Sequence, residues 1–422
     1  MTGEEAAARI HARAWTHQAP GLGRTRTLLS RLGEPQRSLR FVHIAGSNGK
    51  GSTAAMLASI LRAAGYRTGL FTSPHLVRFN ERICVDGTPI TDEVLVRQTQ
   101  RLLTAAEGME EGPTEFELMT ALGMLCFAEA GCDLVVLEVG LGGRLDSTNV
   151  IDAPEVCVIT NIGLEHTQLL GSTVAQIARE KGGILKSGSR AVLYAQSREA
   201  ENVIEELCRE QDIPLARIEP DALTLLEAGP EGQRFTYRGR GPYQLSLIGG
   251  YQLRNAMTVL DTVDTLRAAG WSIGDDAVAA GLADARWPAR LELVRRAPDL
   301  LIDGAHNPQC AGALMDALAA LYPGKKLIFL AGVLSDKDWR AMFTFALPMA
   351  GAFVLVPPPG SRALSTDEPA RWLEERGVRV LCRETPKEAL EAALTLAAPT
   401  DTVCAWGSLY LAGELRHLLG LA

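Results

Sequence analysis

Phe41-Val42-His43-Ile44-Ala45-Gly46-Ser47-Asn48-Gly49-Lys50-Gly51-Ser52-Thr53 is the stretch on which the fold turns, because an apolar, β-branched run passes straight into glycines and a lysine. Residues 41–45 read as a buried strand. From Ala54 to Ala64 the apolar residues Met56, Leu57, Ile60 and Leu61 recur at helical spacing, and Gly65 is placed to end that helix. Glycines let a backbone close around an anion, with successive N–H groups and the helix N-terminus aimed at it, and Lys50 adds a mobile positive charge. The run reads as a cradle for a nucleotide polyphosphate; the alternative is a glycine-rich turn with a solvated lysine. The spacing departs from the common phosphate loop, since Gly51 separates Lys50 from Ser52 and Gly46 lies only three residues before Gly49. Ser52 and Thr53 suit either a helix cap or a magnesium ion on the phosphates.

Working outward, strands of the buried type recur at Thr68–Thr72, Leu134–Val139, Val156–Thr160 and Ala191–Ala195, with helical patterns between most of them. That alternation predicts a mainly parallel sheet flanked by helices, its ligands gathered at the carboxyl edge of the strands. Residues 220–250 turn Gly-, Arg- and Thr-rich, and Phe235–Tyr237 and Tyr243–Ile248 read as small antiparallel strands. A second cycle starts near Leu300 and alternates strand and helix to the end: strands 300–303, 326–331, 352–356, 378–382 and 402–406, helices 309–321, 338–345, 366–376, 386–397 and 409–419. The expected architecture is α/β. An N-terminal phosphate-loop ATPase domain over 1–287, with a mainly parallel sheet and a small antiparallel one, precedes a doubly wound, Rossmann-like domain over 288–422. Arg286-Trp287-Pro288-Ala289-Arg290 forms the hinge between them.

The 422 residues are 47% hydrophobic and 22% charged, an ordinary globular composition with room for two or three domains. A formal charge of −8 argues against a nucleic-acid binder that works by phosphate neutralisation, and leaves room for a small anionic substrate. The eight cysteines are scattered without a Cys-x-x-Cys pair, so neither a zinc site nor a disulfide framework is expected. No segment reads as a signal core, and no apolar run approaches the ~18 residues that span a bilayer. The expectation is a cytoplasmic monomer with small-molecule substrates, no nucleic acid and no membrane.

Several polar residues sit where an apolar one would cost less. Glu138 stands inside Leu134-Val135-Val136-Leu137-Glu138-Val139, where an unpaired carboxylate costs several kcal/mol; it needs a cation, or it reaches solvent or an arginine such as Arg144. Ile177, Lys181 and Ile184 are spaced i, i+4 and i+7, which places an ammonium on an apolar stripe; it snorkels to water, or lines a cleft and is partnered or modified. His166, in Gly163-Leu164-Glu165-His166, reads on its own as a polar loop residue. Asp303 and His306 follow a strand in Asp303-Gly304-Ala305-His306-Asn307-Pro308, where they either serve a site or cap the next helix.

Taken together these segments resemble the dihydrofolate synthase/folylpolyglutamate synthase family of the Mur ligase superfamily. The resemblance rests on GSNGKGST (46–53), TSPHL (72–76), FNERI (79–83), LEVGLGGRLDSTN (137–149), the stretch from IGLEH (162–166) to REKGGIL (179–185), YQLRNA (251–256), WPARLE (287–292), DGAHNP (303–308) and GSLYLAGELR (407–416). It implies an ATP-dependent amide synthesis in which a pteroate or folate carboxylate is activated as an acyl phosphate and glutamate's amine displaces the phosphate. It also implies roles for single residues. Asn48, Gly49, Lys50, Gly51 and Ser52 would hold the triphosphate, with Asn255, Arg290 and Asp303 on the nucleotide. Ser73, Glu138 and His166 fall on magnesium-ligand positions. Lys181 falls on a lysine the family carbamylates, an anion suited to a second magnesium. Lys50, Lys181 and His306 are the candidate catalytic residues; Ser408 is a cleft residue near the nucleotide or glutamate. Gly21, Leu22, Gly23, Thr114, Phe116, Leu145, Asp146 and Ser147 would take the pterin, and Arg144-Leu145-Asp146 leans toward a bifunctional enzyme.

Two positions depart from the pattern: Tyr251 stands where histidine is more usual, and Gly182 where alanine is, at a helix cost of ~1 kcal/mol. The competing readings are a cell-wall Mur ligase acting on a UDP-muramoyl peptide, disfavoured by RLDSTN and by the lack of an extra N-terminal UDP-binding domain, and a nucleotide-driven switch, disfavoured by Gly51 and the second α/β unit.

Overall fold

The computed structural model describes residues 1–12 and 21–421, and its strands fall into three sheets. The first contains β1 (Phe41–Ala45), β2 (Thr68–Phe71), β3 (Ile83–Val85), β4 (Thr88–Pro89), β5 (Leu134–Glu138), β6 (Val156–Ile159), β7 (Arg190–Leu193) and β8 (Leu215–Arg217), in the spatial order 4-3-2-5-1-6-7-8. From β2 across to β8 every pairing is parallel, and only β3, paired antiparallel to both β2 and β4 near one edge, runs against the rest. The chain returns to lay β5 between β2 and β1, so the carboxyl ends of β2, β5, β1 and β6 open side by side on one edge. In a parallel sheet, that edge is where loops meet ligands.

Strand alternation then decides which side chain faces where. Val42, Ile44, Leu134 and Val136 pack with Met56, Leu57 and Ile60 of the helix Lys50–Ala63. Phe41, Val135 and Leu137 pack on the other side, with Leu118, Met119 and Leu122 of the helix Glu115–Ala130. Glu138 is in step with Leu134 and Val136 and belongs to the side of the glycine-rich loop. His43, in step with Phe41, belongs to the opposite one.

A three-stranded antiparallel sheet follows, β9 (Leu223–Gly229), β10 (Gly232–Tyr237) and β11 (Arg240–Leu245). Its buried Phe235, Tyr237, Tyr243 and Leu245 join the same core as the helices Lys50–Ala63 and Gly250–Ala268, so this small sheet closes the face that the larger helices leave open. The last sheet contains β12 (Glu292–Arg295), β13 (Asp299–Ile302), β14 (Leu327–Ala331), β15 (Ala350–Leu355), β16 (Arg379–Cys382) and β17 (Thr402–Trp406) in the order 12-13-17-14-15-16. It is parallel except at β12, and its two faces are apolar, Leu301, Phe329 and Phe353 on one and Leu300, Leu330 and Val354 on the other. Helices cover both.

The predicted elements of this half recur within a residue or two, with β12 added. That edge strand has three half-buried residues and the exposed Arg295, with no alternation to read. The helix of the glycine-rich loop starts at Lys50 rather than Ala54, because Gly49, at φ +88°, turns the chain directly into it.

Candidate active site

The loop Gly46–Lys50 lies at the carboxyl end of β1 and is anchored by backbone: the N–H groups of Ser47 and Asn48 both donate to the Asn161 carbonyl beyond β6, at 2.7 and 3.2 Å. Its glycines answer to geometry. Gly49 is left-handed, and a Cβ there would stand 2.6 Å from Asn255 Oδ1; one on Gly51 would stand 2.7 Å from the Trp287 ring. Lys50 curls back so that Nζ donates to the carbonyls of Gly46 (3.0 Å) and Ser47 (3.3 Å). No side chain caps the helix. Ser52 accepts from Gln252 Nε2 at 3.1 Å, and the Thr53 hydroxyl is buried without a partner, so the capping reading of these two fails. Gln252 in turn accepts from Asn255 Nδ2 at 2.9 Å, a buried pair of amides beneath the loop.

Lys181 does not snorkel. It is 2% exposed and donates to the Gly46 carbonyl at 2.9 Å and to Glu165 Oε1 at 2.8 Å. Burial outweighs the pull of Glu165 and brings the ammonium down to about 8. Burial alone would raise Glu165, but Lys181 and Lys50 overcome it and hold the carboxyl at about 2. One carbonyl thus accepts from two ammonium groups, whose charges both act on Glu165 and, from Lys50, also on the buried Glu138, a carboxyl that burial raises toward its neutral form. The surplus positive charge lies directly under a helix N-terminus, which suits an anion. Glu165 was missed by the sequence reading, which dwelt on its neighbour; His166 itself is exposed at the left-handed N-cap of the short helix Thr167–Leu170.

Beside this loop is a cleft of ≈ 420 Å³ lined by Gly51, Ser73, His75, Glu138, Trp287 and Arg290 among others. Glu138 is 4% exposed and accepts one hydrogen bond, from the Ser73 N–H at 3.2 Å. It has no salt bridge among the described residues, and Arg144, the partner considered above, is spent on Glu180 at 2.9 Å. Burial raises the Glu138 carboxyl, with the Lys50 charge opposing. No three His, Cys, Asp or Glu side chains among the described residues gather as metal ligands, and His166 is not part of the cleft wall.

The second α/β unit meets the loop at two places. Asn48 donates to Gln309 at 2.6 Å and accepts from Asn307 Nδ2 (3.1 Å) and Cys310 Sγ (2.9 Å), all at the start of the helix Pro308–Leu321. Arg290 enters the cleft from a linker whose flanking residues, Ala289 (φ +56°) and Leu291 (φ +48°), are both left-handed, a conformation costing of order 1–3 kcal/mol each. Asp303 staples that strained turn, accepting from the N–H groups of Leu291 and Ala305 at 2.7 Å each. His306 Nδ1 is 2.8 Å from the Gly304 carbonyl, and burial lowers the ring to about 4, so it is neutral. Ser408 is buried and caps the helix Leu409–Leu418; its neighbour Leu409 is what reaches the cleft.

The residues expected to take a pterin lie on the other face of β5. Thr114 and Glu117 form a capping box at the start of their helix, and Glu117 pairs with Arg24, one residue past Gly21, Leu22 and Gly23. Phe116 packs against Gly140, where a Cβ would come within 2.3 Å of its ring. Asp146 accepts from the N–H groups of Leu141 (2.8 Å) and Thr148 (3.0 Å) and from the Thr148 hydroxyl, and so shapes the loop that carries Leu145 and Ser147.

Against this geometry stand the comparisons with known proteins. Residues 44–263 match the Mur ligase middle domain and residues 289–409 the Mur ligase glutamate ligase domain. The chain is 37% identical to the folylpolyglutamate synthase of Lacticaseibacillus casei, over 96% of its own length and 97% of that protein's. It is 40% identical to the dihydrofolate synthase/folylpolyglutamate synthase of Bacillus subtilis, over 78% and 81%. The chain belongs to the dihydrofolate synthase/folylpolyglutamate synthase family. Among solved members of that family, Mycobacterium tuberculosis folylpolyglutamate synthase complexed with ADP has a TM-score of 0.90 at 33% identity, covering 99% of each chain. Escherichia coli FolC in complex with DHPP and ADP has 0.88 at 29%, covering 100% and 98%. Of the two departures from the family pattern, Gly182 is the last residue of its helix, so its cost is smaller than an interior glycine's. Tyr251 is half-buried among apolar residues of the second α/β unit, close to Asp303. No helix among the described residues is long and apolar enough to cross a membrane.

Proposed function

We propose that this chain is an ATP-dependent ligase that adds L-glutamate to dihydropteroate, to a reduced folate, or to both, through an acyl phosphate. What carries the reading is one juxtaposition: the cationic loop, with Lys50 and Lys181 on the Gly46 carbonyl, lies beside the cleft holding Glu138 and Ser73, with Arg290 on its far wall. An amine cannot expel oxide from a carboxylate, so phosphorylation must supply a leaving group, and the protein's work is positioning and charge neutralisation. Asn48 to Ser52 would hold the polyphosphate, and Asn255, Arg290 and Asp303 the rest of the nucleotide. ATP would thereby join a part spanning 1–287 to one spanning 288–422. His306 and Ser408 would sit near the incoming amino acid, and the segments around Gly21, Phe116 and Asp146 would take the pterin.

A buried carboxylate with one hydrogen bond and no salt bridge fits a divalent ion, so Glu138 and Ser73 would hold magnesium, with His166, outside the cleft wall in this structure, the third ligand that the family resemblance implies. When bound, the ion neutralises phosphate charge. Lys181, brought to about 8, keeps roughly a tenth of its amine unprotonated at pH 7, enough to add to carbon dioxide with loss of a proton. The resulting carbamate would face Glu165, so the modification calls for a second cation there. We place the enzyme in the cytoplasm, as a monomer.

Purified protein with ATP, magnesium and glutamate, tested separately on dihydropteroate and tetrahydrofolate with products identified by mass, decides the matter. Growth by one glutamyl unit is expected. Phosphate release with a UDP-muramoyl acceptor alone, or turnover indifferent to glutamate, would replace this reading.

A further inference from the structure

His43 is fully buried in the middle of β1, whose other residues are all apolar, and it points away from the glycine-rich loop. A dry imidazole costs free energy unless its polar atoms are met. Only one is: Nε2 lies 2.9 Å from the Thr148 hydroxyl, while Nδ1 has no partner. The Thr148 hydroxyl also bonds to Asp146 Oδ1, and Asp146 accepts from the Thr148 and Leu141 N–H groups as well. Burial raises the Asp146 carboxyl while the donors around it oppose; with that carboxylate ionised it can only accept, so the hydroxyl donates to Asp146 and accepts from His43. That fixes His43 as the neutral Nε2–H tautomer, its bare Nδ1 lone pair being the unpartnered atom. The chain of bonds runs from the strand under the phosphate loop to the acid that shapes the loop 140–149.

We propose that His43 is a positioning residue for the pterin-linked acid: through Thr148 it fixes the Asp146 carboxylate, and with it the loop bearing Leu145 and Ser147, without touching nucleotide. The proposal rests on the ligase reading above. Bonds in such a chain polarise one another, so cutting the middle loosens both ends.

Thr148→Val keeps shape and removes the hydroxyl; Thr148→Ser keeps the hydroxyl. His43→Leu removes the donor, and His43→Gln returns an N–H near the Nε2 position. Steady-state turnover is measured with pterin acceptor and ATP varied separately. Thr148→Val and His43→Leu are expected to raise the acceptor KM about tenfold, leaving the ATP KM within twofold and kcat within threefold. Thr148→Ser and His43→Gln recover the acceptor KM to within threefold. If His43→Leu does not fold, the Thr148 pair carries the same test. An unchanged acceptor KM in Thr148→Val, acceptor and ATP KM rising together, or a serine variant as poor as the valine one overturns the proposal. A wild-type protein inactive on both pterin acids overturns the ligase reading instead.

Discussion

Glu138 at the end of β5 and Asp146 in the loop beyond it are both buried acids, 4% and 6% exposed, yet the fold treats them in opposite ways. Asp146 accepts three hydrogen bonds from its own loop, whereas Glu138 accepts one and turns its remaining capacity into a cleft. A carboxylate accepts about four. Burial raises both carboxyls, but the first is scaffold, its oxygens met by donors of its own loop; the second is held short of partners, which a fold tolerates only where something else binds.

The sharpest way to break that contrast is Glu138→Gln. Turnover is expected to fall about a thousandfold and the magnesium titration to flatten, while the thermal midpoint stays level or rises, because an under-partnered buried charge has been removed. A fall in stability without loss of turnover would make Glu138 scaffold too. Next comes Lys181→Met, expected to cost about a hundredfold in turnover and about 3 kcal/mol of stability, since Glu165 loses its buried partner. Adding Glu165→Gln should restore denaturant stability but not turnover; recovery of both would reduce the pair to a structural one. Asp146→Ala tests the other side of the contrast: a loss of about 2–3 kcal/mol in urea unfolding as the Leu141 and Thr148 donors go unmet.

The most gradual effect is in pH. His43 and His306 are pressed by burial to about 3 and about 4. Between pH 6.5 and 4 the unfolded chain takes up protons that these rings refuse, so stability falls with pH, by up to about 1.4 kcal/mol per unit for each. His43→Gln should flatten that slope in a series of melting curves; an unaltered slope would mean the ring is protonated in the fold.

Much of this was legible before any coordinates. A glycine-rich run between strand and helix, a glutamate ending an apolar strand and a lysine on an apolar stripe all violate local cost rules, and such violations mark sites. Lys181 shows the limit. The stripe announced that its ammonium would be buried, with Ile177 and Ile184 fully so, but not that Glu165 would meet it across 16 residues of loop and helix. His43 breaks the same rule as Glu138, but one imidazole among Phe41, Val42, Ile44 and Ala45 leaves the apolar pattern of the strand intact and so gives no signal of its own. The hairpin strands β3 and β4 and the edge strand β12 carry no periodicity, being two to four residues long, and became visible only through their pairing.

Asn48 has a final consequence. Its amide is already engaged by Asn307, Gln309 and Cys310 across the boundary between the two α/β units. On the proposed reading, arrival of a polyphosphate at the loop is an exchange of acceptors: its oxygens compete with Gln309 Oε1 for the Asn48 N–H, while Asn48 Oδ1 keeps Asn307 and Cys310 and the two halves stay joined. The heat released on nucleotide binding will be a net of bonds made and bonds broken, and a variant lacking the Gln309 contact will take up nucleotide more exothermically.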